Sequence, residues 1–467
     1  MHPLSIASAL TRSPRRWSVG RPLIPGVGRR RRRVAAFYRS LRHHELMNYW
    51  SVSFIAALAG ATAVRWWLSA RQIAAVAAHR ESVPSAFADR VSAADHRKAA
   101  DYTIANARFA RVDVIVDVLI TLALTVGGGI AAIDALWRRT GWEQPWLGTA
   151  VILSVVFTTS ALNLPLTVWR TFRLEARFGF NRISPRLFLI DLAKSTLLGL
   201  AIGAPVLMAV LALMERAGRL WWLWAWALWL AVTLVMTWAW PSFIAPWFNR
   251  FSPLNDEALK ARVESLARRC GFTTSGVFVV DGSRRSTHGN AYFTGIGRHK
   301  RIVFYDILMQ RLAPTEIEAV LAHELGHFSL NHVRQRLLVS TTVGLGGAAL
   351  LGWLAAQPRF YTSLGVPTLS PHAAILLFTM VLPVVSFFAT PWAARWSRRH
   401  ELEADLFAAR HASGTDLAAA LVKLYRDNAS TLTPDPLYSA FYYSHPPALT
   451  RIRRLVEAQG PAARVEM

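Results

Sequence analysis

The sequence predicts a mainly α-helical membrane protein that crosses the bilayer several times. Hydrophobic residues make up 53% of the 467 residues, charged residues only 17%, and the mean hydropathy is +0.27. Seven hydrophobic segments each approach the roughly 20 residues that a helix needs to span the hydrocarbon core. They lie at about 49–68, 112–136, 147–168, 187–213, 221–240, 337–356 and 373–392. This composition excludes a set of soluble domains, which the length alone would allow.

The basic residues of the connections orient the predicted spans, because cytoplasmic loops carry an excess of Lys and Arg. The connection 69–111 contains seven Lys or Arg and the connection 169–186 contains five. The connections 137–146, 214–220 and 357–372 contain only two, two and one. This alternation predicts that the two basic connections, the long region 241–336 and the C-terminal tail are cytoplasmic. Basic loops also explain the formal net charge of +25, so we expect no nucleic-acid partner.

Residues 1–46 form a basic tail that we expect to be disordered, since it contains eleven Arg and shows no apolar periodicity. The tail lacks the layout of a cleavable signal peptide. Seven spans and a cytoplasmic C-terminus place the N-terminus outside, which conflicts with this positive charge. One hypothesis is that translation starts at Met47. Intact-mass detection of Met1 or His2 at the N-terminus of the native protein would exclude it.

The region 241–336 is predicted to be a partly helical domain with short strands. Residues 255–270 alternate apolar and basic side chains at helical spacing, as an amphipathic helix does. Segments 277–280 and 301–305 have the composition of strands, and 286–295 between them could form a third. Three such strands would leave a sheet edge to which an extended peptide can add.

The most specific motif of the chain is His-Glu-x-x-His at 323–327, which is typical of zinc peptidases. Residues four apart share one face of a helix, so His323 and His327 can direct two imidazoles at one metal ion. Glu324 lies beside them and can take a proton from a water that the metal activates. The alternative is two surface histidines on an ordinary helix.

A catalytic zinc site needs a third protein ligand, with the fourth position left for water. Cys270 is the single cysteine of the sequence, so that ligand must be a histidine or a carboxylate. Segment 398–407 offers Glu401 and Asp405, which are four residues apart on one helix face. We expect Glu401 to complete a site for one Zn²⁺ per chain and Asp405 to accept a hydrogen bond from a ligating histidine. Glu403 falls on another face and should be solvated; a charged helix start beside the membrane is the alternative.

Several charged residues fall within the predicted spans. Asp113, Asp117 and Asp134 lie near the ends of the second segment, where we expect their side chains to reach the interface. Asp191 and Lys194 are one turn apart in the fourth segment and are candidates for a buried pair. Such a pair can also mark a transport pathway, so a transporter or channel is an alternative of a different class. No internal repeat is evident in the sequence, which argues against it.

On these motifs the chain resembles the type I CAAX prenyl endopeptidases, integral membrane zinc peptidases that process prenylated proteins. The pairing of His-Glu-x-x-His with a later Glu-x-x-x-Asp belongs to their wider peptidase family. Further stretches are typical of the prenyl-endopeptidase branch: RFGFN at 177–181, IAPWFN at 244–249, NAYFTG at 290–295 and YSHPP at 443–447. The matches run from about residue 100 to 455, so only the Arg-rich tail lies outside the pattern.

The resemblance implies seven transmembrane helices around a large water-filled chamber, with the zinc site facing its interior. It implies that His445 stabilises the oxyanion and that Arg451, a basic residue near the same site, is a further catalytic residue that supports the oxyanion. It also implies that Asn290, with Ala291 and Tyr292 in the strand beside it, holds the substrate backbone. The chain would then divide into five segments: a tail (1–46), five spans (47–240), a zinc-peptidase domain with the His-Glu-x-x-His helix (241–336), two spans (337–392) and a C-terminal helical segment (393–467). The Met47 hypothesis leaves the tail untranslated. The C-terminal segment supplies the third zinc ligand and the His-Pro-Pro motif.

The activity that the resemblance implies is removal of a C-terminal tripeptide after a prenylated cysteine. The expected partners are a peptide or protein substrate, prenylated or membrane-embedded, and the lipid bilayer. The Ala- and Arg-rich composition indicates a bacterial inner membrane, with the active-site domain on the cytoplasmic side. Bacteria generally lack prenylated CAAX proteins, so a membrane quality-control endopeptidase is the alternative enzyme. That group typically has fewer spans.

Overall fold

A computed structural model describes residues 49–288, 291–294 and 299–458, and confirms a mainly helical fold with one small sheet. The predictions for the 1–46 tail and for Asn290 fall outside the described residues. The helices are α1 (Tyr49–Ala78), α2 (Ala93–Leu124), α3 (Gly129–Arg138), α4 (Trp146–Trp169), α5 (Pro185–Arg216), α6 (Trp221–Ala239), α7 (Ala245–Phe248), α8 (Glu257–Arg269), α9 (Asp306–Arg311), α10 (Pro314–Ser329), α11 (His332–Leu354), α12 (Pro358–Thr362), α13 (Pro371–Ser386), α14 (Thr390–His411), α15 (Gly414–Asp427), α16 (Pro436–Tyr442) and α17 (Ala448–Ala458). The strands are β1 (Phe251–Pro253), β2 (Thr273–Val280), β3 (Ala291–Thr294) and β4 (His299–Tyr305).

Within the described residues, six helical stretches are long and apolar enough to cross a membrane. A seventh span results when α2 and α3, which meet at a bend of 48°, are counted together. The bend lies in a run of glycines, where Gly128 adopts a φ of +77° that a residue with a Cβ rarely adopts. Each of the seven predicted segments falls on one of these stretches.

Several membrane helices are exposed on more than one side. Helix α6 has no buried side chain, and α5 has only Leu211 buried. In contrast, α1, α4 and α13 pack into a shared apolar core that includes Phe54, Val151 and Leu377. A helix can stay uncovered on two faces when one face meets lipid and the other a water-filled interior, which is the arrangement that a chamber requires.

The four strands form one mixed sheet in the order β1-β2-β4-β3. Strand β2 pairs in parallel with β4 and antiparallel with β1, and β3 pairs antiparallel with β4. The predicted strands at 277–280 and 301–305 lie within β2 and β4, and β3 lies within the predicted 286–295 segment. Among the described strands, this order places β3 at one edge of the sheet.

Arg285 ties this sheet to the membrane helices. Its guanidinium donates to both carboxylate oxygens of Asp191 on α5, at 2.8 and 3.0 Å, and to the carbonyl of Phe248 at 2.7 Å. Lys194 donates instead to the carbonyl of Trp247, at 2.7 Å. The pairing of Asp191 with Lys194 that their spacing suggested is therefore wrong, because each has a closer partner from a distant part of the chain.

Asp134 on α3 is also placed differently from the expectation. Its carboxylate is buried, at 4% exposure, and lies 3.0 Å from His372 Nε2 at the start of α13. Arg138 donates to its second oxygen at 2.8 Å. The expectation that Asp134 reaches the interface is wrong, since the carboxylate joins α3 to α13 through buried hydrogen bonds.

Candidate metal centre and active site

The His-Glu-x-x-His motif lies on α10, whose apolar side is buried by Ile317 and Leu321, each 1% exposed. Helix α14 crosses directly over the motif at Gly326. A Cβ added to Gly326 would lie 3.1 Å from Phe407 Cβ and 3.2 Å from Ala404 Cα, closer than ordinary van der Waals contact. Glycine at this position therefore lets α14 approach until its carboxylates face the two histidines.

Three predicted ligands meet between α10 and α14. Glu401 Oε2 lies 3.4 Å from His323 Nε2, and Glu401 Oε1 lies 3.4 Å from His327 Nε2. Ligand atoms of the three residues all fall within 4.8 Å of one another. A tetrahedral zinc ion with bonds of about 2.0–2.2 Å holds its ligand atoms roughly 3.3–3.6 Å apart, which agrees with the two separations of 3.4 Å.

Glu401 provides an independent test of whether these residues fit a metal. Its side chain is only 4% exposed, and Oε2 makes no hydrogen bond among the described residues, although nitrogens of His323 and His445 lie 3.4 and 3.2 Å away. A buried acceptor without a partner costs about 1–3 kcal/mol. A cation bound at this oxygen removes the cost, so the donor set of two imidazoles and one carboxylate fits zinc.

Asp405 and Arg451 support His323 from the side away from Glu401. Asp405 Oδ1 lies 2.8 Å from His323 Nδ1, which leaves Nε2 of His323 for a metal. Arg451 donates to both oxygens of Asp405, from Nε at 2.8 Å and Nη2 at 2.6 Å. Asp405 and Arg451 are 2% and 5% exposed, so this ion pair is part of the buried core.

Glu324 and His445 face a cavity beside the three ligands. The cavity has a volume of about 330 Å³, and Ala291, Tyr425 and Arg451 contribute to its wall. The His445 side chain is 58% exposed because it borders this space, while its Nε2 lies 3.2 Å from Glu401 Oε2. A second cavity of about 560 Å³ adjoins the first and shares Tyr425, Asn428, Ser430 and His445 with it. A substrate thus has room to lie across Glu324 and His445.

The surroundings shift the pKa of three groups in the site. Burial raises the pKa of the Glu324 carboxyl above its usual range, which makes its carboxylate a stronger base. Burial lowers the pKa of His323, but hydrogen bonds to Asp405 and Glu401 outweigh it and raise the pKa to about 9. Burial is the main cause that lowers the pKa of His445, so this imidazole is neutral at neutral pH.

The predicted substrate-binding residues lie partly on β3. Ala291 lines the cavity of the site and pairs with Phe304 of β4. Tyr292 follows it in the strand and pairs with Val303 through the backbone. The edge of the sheet is thereby directed at the space that Glu324 and His445 face.

His332 is a residue of the site that sequence reasoning missed. Its Nδ1 lies 3.1 Å from Nδ1 of His327, and its Nε2 lies 3.0 Å from Oε2 of Glu403. The Glu403 side chain is 39% exposed, so it is partly solvated as expected, and its Oε1 accepts a hydrogen bond from Arg399 Nε at 2.9 Å. The available signal was a third histidine only five residues after His327, at the start of an apolar helix.

Comparison with known proteins agrees with this geometry. Residues 72–250 match the family model of the CAAX prenyl protease N-terminal region with five membrane helices, and residues 253–459 match peptidase family M48. The chain belongs to the CAAX prenyl protease branch of this peptidase family. A CAAX prenyl protease 1 homolog of Arabidopsis thaliana is 33% identical over 403 residues, which cover 83% of this chain and 93% of the relative.

Further relatives support the same family. CAAX prenyl protease 1 of Saccharomyces cerevisiae is 36% identical over 315 residues, covering 64% of this chain and 69% of the relative. The crystal structure of S. mikatae Ste24p superposes with a TM-score of 0.81 at 28% identity, covering 88% of this chain and 99% of that structure. The resemblance inferred from the motifs is therefore confirmed.

Membership in this family establishes the class of protein. The chain is a multi-pass integral membrane protein and a metalloendopeptidase of the CAAX prenyl protease type, as predicted. Its substrates are accordingly peptides or proteins, and its activity requires a metal. The alternatives of a quality-control peptidase and of a transporter or channel are not favoured.

Proposed function

We propose that this enzyme holds one zinc ion per chain and removes the C-terminal tripeptide that follows a prenylated cysteine. The observation that carries the proposal is the buried set of His323, His327 and Glu401, with Glu324 beside it at a cavity. The names of the relatives supply the substrate class, since they are CAAX prenyl proteases.

The proposed mechanism assigns each side chain a separate task. When bound, zinc supplies Lewis acidity to the attacking water and to the carbonyl of the scissile bond. Glu324 takes the proton of that water on its carboxylate and delivers it to the leaving amine, for which its raised pKa suits it. His445 donates a hydrogen bond from Nε2 to the oxyanion. Arg451 keeps Asp405 in place, and Asp405 keeps His323 in the tautomer that can bind zinc.

The substrate backbone is proposed to add to the edge of β3. An extended peptide beside Ala291 would run along the wall of the cavity, with its scissile bond near Glu324. Main-chain hydrogen bonds to a sheet edge bind peptides with little dependence on sequence, so they suit an enzyme with varied substrates. Asn290 and Tyr292, on either side of Ala291, belong to the same proposed contact.

An apolar recess supports a lipid-modified substrate. The recess has a volume of about 1260 Å³ and lies between α2 and the end of α4, where Phe172 and Leu166 line it. Phe109 borders both this recess and the polar cavity that adjoins the site, and its ring stacks on Trp169 with centroids 5.2 Å apart. A prenyl chain in the recess would leave the peptide that follows its cysteine free to enter the polar cavity.

The active-site side of the membrane is proposed to be the cytoplasmic side of a bacterial inner membrane. The connections that carry most Lys and Arg contact the peptidase region: Arg71 binds Asp435 at 2.9 Å, and Arg182 donates its backbone N–H to Arg285 at 3.1 Å. The inner-membrane assignment rests on the Ala- and Arg-rich composition, whereas the relatives described above are eukaryotic. We likewise propose that the chain is organised in the segments 47–240, 241–336, 337–392 and 393–467.

The decisive experiment compares two peptides of the same sequence that end in Cys-aliphatic-aliphatic-X, one farnesylated and one not. We expect the purified enzyme to release the tripeptide from the farnesylated peptide, as detected by mass spectrometry, and Glu324→Gln to release none. Cleavage of both peptides at several internal bonds would contradict the proposal and support quality control. Equal rates for wild type and Glu324→Gln would contradict the catalytic assignment itself.

A further inference from the structure

His327 is connected to Glu403 through a buried histidine. The contacts run from His327 Nδ1 to His332 Nδ1 at 3.1 Å, and from His332 Nε2 to Glu403 Oε2 at 3.0 Å. Glu403 is held in turn by Arg399, whose Nε donates to Oε1 at 2.9 Å. His332 is only 1% exposed, so this path runs inside the protein until it reaches the carboxylate.

Chemistry sets the direction of every hydrogen bond in this path. His327 offers Nε2 to the metal site, since Nε2 is the atom that lies 3.4 Å from Glu401. A neutral imidazole that binds a metal through Nε2 carries its proton on Nδ1. That proton is donated to His332 Nδ1, which leaves the proton of His332 on Nε2, where Glu403 accepts it. Each group has the one partner that its protonation state requires.

Packing fixes the orientation of His332. Its ring stacks on His400 with centroids 4.0 Å apart and an angle of 2° between the planes.

The same geometry argues against a second metal ion among His332, His400 and Glu403, whose ligand atoms lie within 4.8 Å of one another. Lone pairs lie in the plane of an imidazole ring, so two parallel stacked rings cannot converge on one ion.

We propose that His332 and Glu403 are positioning residues that orient His327 and raise its basicity toward the metal. The proposal rests on the proposed function, because it assumes an ion at His323, His327 and Glu401. Asp405 accepts a hydrogen bond from His323 directly, whereas Glu403 is connected to His327 through His332. Each of the two ligating histidines is therefore oriented by its own carboxylate. Loss of such an outer partner typically weakens metal binding by about 10–100-fold.

The test measures metal affinity and coordination in the purified full-length protein. We expect His332→Phe to weaken Zn²⁺ binding, measured by competition with a chelator, by about 10–100-fold and to change the visible spectrum of bound Co²⁺. Glu403→Leu should weaken binding by about tenfold, and its partly exposed position makes folding of this variant robust. His332→Gln keeps an acceptor and a donor, so it should recover part of the loss.

His400→Phe is the matched control, because it replaces the stacked neighbour without breaking the path from His327 to Glu403. Equal losses in His332→Phe and His400→Phe would show a packing effect and overturn the proposal. Unchanged affinity and Co²⁺ spectrum in both His332→Phe and Glu403→Leu would also overturn it. Failure of the proposed function has a different signature, namely a wild type that binds neither Zn²⁺ nor Co²⁺, or a Glu401→Ala variant that binds both normally.

Discussion

The ion pair between Asp405 and Arg451 links the stability of the fold to the affinity of the metal site, and paired substitutions can separate the two. Asp405→Leu leaves the Arg451 guanidinium, only 5% exposed, without a counter-charge. A lone buried charge of this kind costs about 3–5 kcal/mol. The same substitution leaves the Nδ1–H of His323 without its acceptor, which adds about 1–3 kcal/mol.

The double variant Asp405→Leu/Arg451→Met removes both charges and keeps similar volumes. Only the His323 cost of about 1–3 kcal/mol then remains. We therefore expect the double variant to be more stable than Asp405→Leu alone by about 3–5 kcal/mol. For cooperative unfolding of a chain of this length, at about 1 °C per kcal/mol, the difference corresponds to roughly 3–5 °C in the midpoint of thermal unfolding in detergent.

The zinc affinities of the two variants should not follow the order of their stabilities. Both variants lack the carboxylate that orients His323, so both should bind Zn²⁺ about 10–100-fold more weakly than wild type. Asp134→Leu is the matched control, because Asp134 is another buried carboxylate bonded to a histidine and an arginine, but on α3. It should lower the unfolding midpoint and leave zinc affinity unchanged. A double variant no more stable than Asp405→Leu would refute the account of Arg451 as a buried charge that needs its partner.

Three further predictions concern single positions. Glu324→Gln should lower the rate of peptide hydrolysis by at least about 10²–10⁴-fold while elemental analysis shows an unchanged zinc content. Glu401→Ala should purify with little or no zinc, and full occupancy would remove Glu401 from the ligand set. Gly326→Val should separate α10 from α14, destabilise the protein by about 1–3 kcal/mol and weaken zinc binding, because its side chain meets Phe407. Gly346→Val is its control, since nothing lies within 4 Å of a Cβ added there; equal losses in the two would exclude the packing argument.

The parts of the site that follow helical spacing could be predicted from sequence. His323 and His327 are four residues apart, as are Glu401 and Asp405, and one turn of helix brings each pair onto one face. The membrane spans were also predictable, since length and hydrophobicity suffice to recognise them. The bend between α2 and α3 was not, because a span broken at glycines has the same hydropathy as a straight one.

Contacts between distant segments could not be predicted in the same way. Asp191 has Lys194 one turn away, yet its partner is Arg285, which is 94 residues later in the chain. Likewise, Arg451 could be assigned to the site only by resemblance, because its partner Asp405 lies on another helix. Strand β1 has only three residues and ends in Pro253, too little pattern to recognise without its neighbour β2.

One helix, α14, supplies all three carboxylates that act on the two histidines of α10. Glu401 lies against both Nε2 atoms, Asp405 holds His323, and Glu403 reaches His327 through His332. Helix α14 begins within the last predicted span and belongs to the same long helical stretch, Pro371–His411, so its position depends on how the membrane helices are arranged. A small movement of α14 would disturb the third ligand and both supporting contacts together. Metal affinity should therefore respond to substitutions where α14 packs, even where these touch no ligand, and Gly326 is the position at which that coupling is most direct.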